Sequence, residues 1–219
     1  MVTITQALFS FAVVAGLLTL VPGIDTALVL RSSLSRSRGY AFATALGIGT
    51  GAMIWGVAAA VGVSALLAAS ELAYRLLTLA GAAYMVWLGG ALLWKTLRRN
   101  RAAESVTVTV AETVPAADGQ LLRSWLTGAG TNLLNPKVGV FYIATIPQFI
   151  PANASPLLMG VLLAGVHCVL SMVWFTLLIL ATGFASRWLR NARSIRVIDR
   201  ITGTVLVGFG LKIALEPGH

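Results

Sequence analysis

The sequence predicts an all-α membrane protein, with six transmembrane helices arranged as two inverted three-helix repeats. Three observations lead there. The 219 residues are 58% hydrophobic and 11% charged, with a mean hydropathy of +0.87, whereas a soluble domain is roughly 45–50% apolar and about 25% charged. Six apolar segments reach the ~20 residues a helix needs to cross a bilayer. Thirteen of the sixteen Lys and Arg fall in alternate connections between those segments, which is the pattern of cytoplasmic loops.

The first segment, 5–30, is apolar from Ala7 to Val21 and is interrupted by Pro22-Gly23. Proline removes a backbone donor and clashes with the preceding turn, and glycine weakens the helix further. The segment lacks a basic amino-terminal region and a small-residue cleavage site, so it is expected to be a span and not a signal peptide. The second and third segments, 41–68 and 72–94, are separated only by Ser70, Glu71 and Arg75. The fourth, 126–150, carries a second break at Asn135-Pro136-Lys137, and the fifth and sixth occupy 155–183 and 197–215. Residues 1–99 then form the first repeat, 100–123 a cytoplasmic connector and 124–219 the second repeat. Three plus three helices with opposite entry directions are the arithmetic of an inverted repeat, and two Pro breaks, one in the first helix of each half, agree with it, although Pro22 lies late in its segment and Pro136 about ten residues into its own. Within the connector, Val106 to Val110 alternates as a short strand would, but a lone strand is not stable.

Basic residues mark the first, third and fifth connections: Arg31, Arg36 and Arg38; Lys95, Arg98, Arg99, Arg101 and Arg123; and Arg187, Arg190, Arg193, Arg196 and Arg200. Those loops are expected inside and both termini outside. The net charge of +9 is therefore a topology signal, with lipid headgroups as a further contact. Nucleic acid is not an expected partner. Cys168 is the only cysteine, and with His167 and His219 it makes no metal cluster, so no metal and no cofactor are expected. Gly47 and Gly51 form a G-x-x-x-G pair suited to close helix packing. The many glycine faces also permit a homodimer.

An ionisable residue at an intramembrane break is a functional-site hypothesis by default. Asp25 follows Pro22-Gly23 and is expected about 8–9 Å from the helix end at Arg31. It reads either as the cap of the half-helix after the break or as a site for a proton, a cation or a substrate amino group. Lys137 reads either as a structural ion pair with Asp25 or as an anchor for a substrate carboxylate beside the amides freed at Pro136. A fixed cation, a fixed anion and exposed backbone suit a zwitterion, and amino acids are the obvious ones. Asn132 and Asn135 would hydrogen-bond freed backbone or ligand. Gln148 reads as a cap or interface residue, and His167 as a packed, hydrogen-bonded histidine or a proton relay. Trp94, Trp125 and Trp188 read as interface anchors, and Trp55, Trp87 and Trp174 as core. Lys212 near the end of the last segment can snorkel. An intramembrane serine hydrolase would need Ser64 hydrogen-bonded to His167. A non-transporting membrane subunit and a channel are further alternatives.

Several stretches resemble the lysine/threonine exporter family (LysE type): Pro22-Gly23-Ile24-Asp25-Thr26 through Gly39 and Gly47-Ile48-Gly49; Gly81 to Gly89; and Gly128 to Phe149, which holds Thr131 to Lys137 and Pro147-Gln148-Phe149. The resemblance covers nearly the whole chain, with the motifs in order. The family usually has Pro-Gly-Pro where this chain has Pro22-Gly23-Ile24. The resemblance implies a bacterial inner-membrane exporter of amino acids or their derivatives, powered by the proton motive force. The expected substrate and coupling site is Asp25, Lys137, Asn135 and Asn132 with the backbone at Pro22, Gly23 and Pro136.

Overall fold

The structure, a computed structural model, describes residues 3–98, 120–151, 153–184 and 191–215. Among them every regular element is a helix. In chain order these are α1 (Ile4–Leu20), α2 (Ile24–Ser35), α3 (Arg38–Ala69), α4 (Glu71–Arg98), α5 (Gln120–Leu133), α6 (Pro136–Thr145), a 3₁₀ turn (Ile146–Phe149), α7 (Pro156–Leu180) and α8 (Ala192–Leu215). The 106–110 alternation and Trp188 lie outside the described residues.

Three stretches, Arg38–Leu66, Leu72–Leu97 and Pro156–Leu180, are long and apolar enough to cross a membrane. The α1–α2 pair, bent by 56° at the break, is a fourth if taken as one span. Helices α5 and α6 are 14 and 10 residues long, each too short to cross alone. Side chains such as Phe9, Leu79 and Val169 point outward and are exposed, as contact with lipid demands.

Local chemistry explains the boundaries. Thr3 and Gln6 form a capping box at the start of α1. The Ser70 backbone ends α3, while its hydroxyl accepts the Ala73 N–H at 3.2 Å and starts α4. Helix α2 passes Arg31 and ends only at Ser35, a correction to the expected limit. Its polar last turn is held by neighbours: Ser32 meets the Thr44 hydroxyl at 3.2 Å and Ser33 meets Thr182 at 2.6 Å. Asp25 thus lies ten residues before the helix end, about 15 Å at 1.5 Å per residue, deeper than its sequence position suggested. The second break also moves relative to its helix. Because α5 begins at Gln120, the chain breaks after 17 residues of α1 and after 14 of α5.

Packing between helices in lipid depends on close fit, since the tails are as apolar as the side chains. Three crossings use glycine for this. A side chain at Gly47 would strike the Trp125 carbonyl, and one at Gly128 the Thr44 carbonyl, so α3 and α5 touch backbone to backbone. Gly56 and Gly160 do the same for α3 and α7. Gly89 and Gly203 face each other's carbonyls across α4 and α8, at 2.6 and 2.7 Å from an added Cβ. Two apolar clusters form the core. One gathers Phe11, Phe141, Tyr142, Phe149 and Leu163, the other Val29, Ile48, Phe175 and Ile179. Trp55 lies half-buried over Gly139, but Trp87 is 65% exposed, so its expected place in the core is corrected.

The crossings predict a change of sign between two glycines. Gly203→Ala forces a methyl against the Gly89 carbonyl and should cost ~1–3 kcal/mol as overpacking. Gly90 has nothing within 4 Å of an added Cβ, so Gly90→Ala should gain ~0.5–1 kcal/mol from helix propensity. Thermal unfolding of the detergent-solubilised variants reads both.

Candidate functional site

The two breaks meet. Gly23 is the N-cap of α2, which makes Asp25 the second residue of that half-helix. Asn135 is the N-cap of α6 and Pro136 its first residue, which makes Lys137 the second residue there. The opposite charges therefore occupy the same position after the two breaks. A cavity of about 50 Å³ lies between them, lined by Asp25, Asn132, Asn135, Lys137, Gly23 and His167 among others. Pro22 and Pro136 flank it in the chain.

Each charge is held differently. A carboxylate in the first turn of a helix is favoured by the macrodipole, and Asp25 satisfies that rule in α2. Its Oδ2 accepts a hydrogen bond from Asn132 Nδ2 at 2.8 Å. Its Oδ1 and the Asn132 Oδ1 are both buried without a partner. Asn132 reaches Asp25 because Gly51 leaves the room: a side chain there would lie 2.8 Å from Asn132 Oδ1. Gly51 was legible as a packing glycine, but its service to Asn132 was not.

Lys137 breaks the dipole rule in its own helix, being a cation near the start of α6. It conforms to the rule in α1. Its Nζ donates to the Leu18 and Val21 carbonyls at 3.3 and 3.2 Å; Leu18 also accepts the Val21 N–H at 3.2 Å, whereas the Val21 carbonyl lies just past the end of α1. The sequence left open an ion pair with Asp25; the ammonium is instead turned to these carbonyls and the carboxylate to Asn132. Asn135 caps α6 by accepting the Lys137 N–H at 3.1 Å, a bond to freed backbone.

His167 is buried behind the cavity. Its Nδ1 is 2.8 Å from the Tyr142 hydroxyl and its Nε2 is 3.1 Å from the Thr19 hydroxyl. Ser64 donates to the Ala60 carbonyl one turn back at 2.8 Å. The Ser64–His167 dyad that the hydrolase alternative needed is thus not formed. Gln148 bridges elements, donating to the Thr78 and Ala144 carbonyls at 3.2 and 3.4 Å. Trp125 donates to the Thr50 hydroxyl at 3.2 Å. Sequence reasoning missed Thr19, Tyr142 and the Leu18 and Val21 carbonyls. Only contacts across space single these out.

The model of the LysE type translocator family matches residues 14–217. The chain is 29% identical to an uncharacterized membrane protein, YrhP, of Bacillus subtilis (strain 168), over 96% of this chain and 100% of that protein. It is 28% identical to a leucine efflux protein of Enterobacter sp. (strain 638), over 94% of each chain. It is 28% identical to a threonine efflux protein of Escherichia coli (strain K12), over 89% of this chain and 91% of that one. No solved structure matches.

The cap at the second break has a measurable weight. Asn135→Ala removes the side-chain acceptor that caps the α6 start and should lower stability by ~1 kcal/mol, with Asn135→Ser recovering most of it. Chemical denaturation in detergent checks both values.

Proposed function

This chain belongs to the LysE type translocator family, and from that premise we propose that it exports amino acids, or small derivatives of them, from the bacterial cytoplasm across the inner membrane. Translocation is transport and not catalysis, and the leucine and threonine efflux relatives support an amino-acid substrate. One observation carries the reading. Two buried acceptor atoms, Asp25 Oδ1 and Asn132 Oδ1, have no donor, on residues that line a cavity shared with a cation, Lys137. A substrate ammonium supplies the missing donor to Asp25 and Asn132. The Lys137 ammonium, with two of its bonds given to α1, keeps a third donor for the substrate carboxylate.

In this reading the chain has six spans, with α1–α2 and α5–α6 each crossing as one broken helix. Two inverted halves are supported by part of the helix pairing: α3 packs on α5 as α7 packs on α1, and α3–α7 and α4–α8 pair like with like. The cavity has room for a few water molecules and not for an amino acid such as leucine. Loading therefore needs the surrounding helices to part, which supports alternating access. Asp25 is the proposed carrier of the coupling proton, exchanging it against the substrate ammonium. The basic loops are inside and both termini are in the periplasm.

Cells expressing the chain should export one class from a panel of radiolabelled amino acids. Export should fall to background with Asp25→Asn and with Lys137→Ala, at wild-type membrane abundance. Full proton-dependent export by Asp25→Asn in proteoliposomes would remove that residue from coupling, and export surviving Lys137→Ala would remove the charged-pair site. A reporter fused after His219 should be active only in the periplasm; activity in the cytoplasm reverses the topology.

A further inference from the structure

The hydrogen bonds around His167 have one consistent direction. The Thr19 hydroxyl donates to the Ala15 carbonyl at 2.8 Å, so toward His167 its oxygen is an acceptor. The Nε2 of His167, 3.1 Å away, must therefore carry hydrogen. In a neutral imidazole the other nitrogen is then a bare acceptor, so the Tyr142 hydroxyl donates to Nδ1 at 2.8 Å. The chain runs from α6 through α7 to α1 and ends on a backbone carbonyl. It cannot pass a proton through, because the Ala15 carbonyl has none to give onward. In this arrangement the chain of bonds holds a proton and does not hand one on.

The same chain has a single vacant place for a proton, the Nδ1 lone pair. A proton added there gives an imidazolium, and Nδ1–H then donates to the Tyr142 oxygen. The Tyr142 O–H must turn away, and Tyr142 is 0% exposed with no second partner among the described residues. Charging His167 thus strands a buried donor as well as burying a charge, and both penalties vanish if water enters. The position matters. Thr19 lies in the last turn of α1, between the two carbonyls that Lys137 holds. Tyr142 is on α6, the helix whose second residue is Lys137. The end of α1 is therefore clamped from α6 and from α7 at once. The charged or titratable groups around His167 are Lys137 and Tyr142 on α6, Asp25 on α2 and Cys168 beside it on α7; α1 contributes Thr19, and the cavity-lining residues of α3, Ile48, Gly49 and Ala52, carry none.

We propose that His167 is a proton-binding latch: neutral, it ties the end of α1 to α6 and α7 around the closed cavity, and protonated, it releases them so that the cavity opens. The role in transport rests on the exporter reading above. The test uses purified full-length protein in proteoliposomes, with radiolabelled leucine and threonine as probes. Counterflow at equal pH reads exchange alone, and uptake under an imposed pH gradient reads coupling. His167→Gln, which can still donate and accept but does not titrate at these pH values, keeps the latch shut and should lose both counterflow and stimulation by the gradient. Tyr142→Phe, which removes only the hydroxyl, should keep counterflow and also lose stimulation. Gradient stimulation equal to wild type in either folded variant overturns the latch. Nitrogen NMR of histidine-labelled protein decides the latch apart from transport, since only His167 and His219 give signals. The expected signal at acid-free pH is the Nε2–H tautomer of His167, and the Nδ1–H tautomer or an unresolved mixture overturns it. If neither amino acid moves in wild type while the tautomer is as expected, the substrate reading fails and the latch geometry stands.

Discussion

Helix α1 stops inside an apolar bundle, and the carbonyls it leaves open must find donors there. In a soluble protein water would serve. In lipid each open group costs several kcal/mol. Lys137 meets this need at Val21 and adds a second donor to Leu18, whose carbonyl already takes the Val21 N–H, and much else follows from it. A lysine near the start of its own helix opposes that helix's dipole, so its place is favourable only because the end of α1 lies against it. The two breaks are therefore not independent. The second makes the first tolerable, and Asn135 fixes the backbone of Lys137 while doing so.

The glycine crossings serve the same end. Asn132 touches Asp25 because α5 lies against the backbone of α3, and it does so because Gly47, Gly51 and Gly128 have no side chains. The result is a carboxylate with one oxygen bonded and one open, beside an amide in the same condition. Such groups are expensive to bury, and the arrangement suits a ligand that arrives with donors. The proposed exporter uses that cost: an ammonium group binds where the protein alone leaves acceptors unsatisfied.

Much of this was legible in the chain. The Pro22-Gly23 and Asn135-Pro136 breaks, Asp25, Lys137 and the two asparagines stand out because charge and helix breakers are conspicuous in an apolar run. The boundary at Ser70 was legible from Ser70, Glu71 and Arg75 alone. What sequence could not supply was the identity of neighbours across space. Arg31 looked like the end of a span, but α2 continues because Ser32 and Ser33 find hydroxyls on α3 and after α7. Lys137 looked like a partner for Asp25, but the nearer need was at α1. Ser64 and His167 looked compatible with a dyad, yet each is bonded elsewhere. Trp87 has the composition of a core residue and faces outward, as an aromatic side chain can when the surrounding solvent is lipid.

The central claim is that a substrate ammonium completes the Asp25–Asn132 acceptor pair. Binding of the exported amino acid to the purified protein, compared with binding of its α-hydroxy acid, tests this most directly, since the two ligands differ only in the donor group. Loss of a charge-assisted buried hydrogen-bond donor should weaken binding by about 10- to 100-fold. Equal affinity for the two would contradict the account, because the open acceptors would then play no part in recognition.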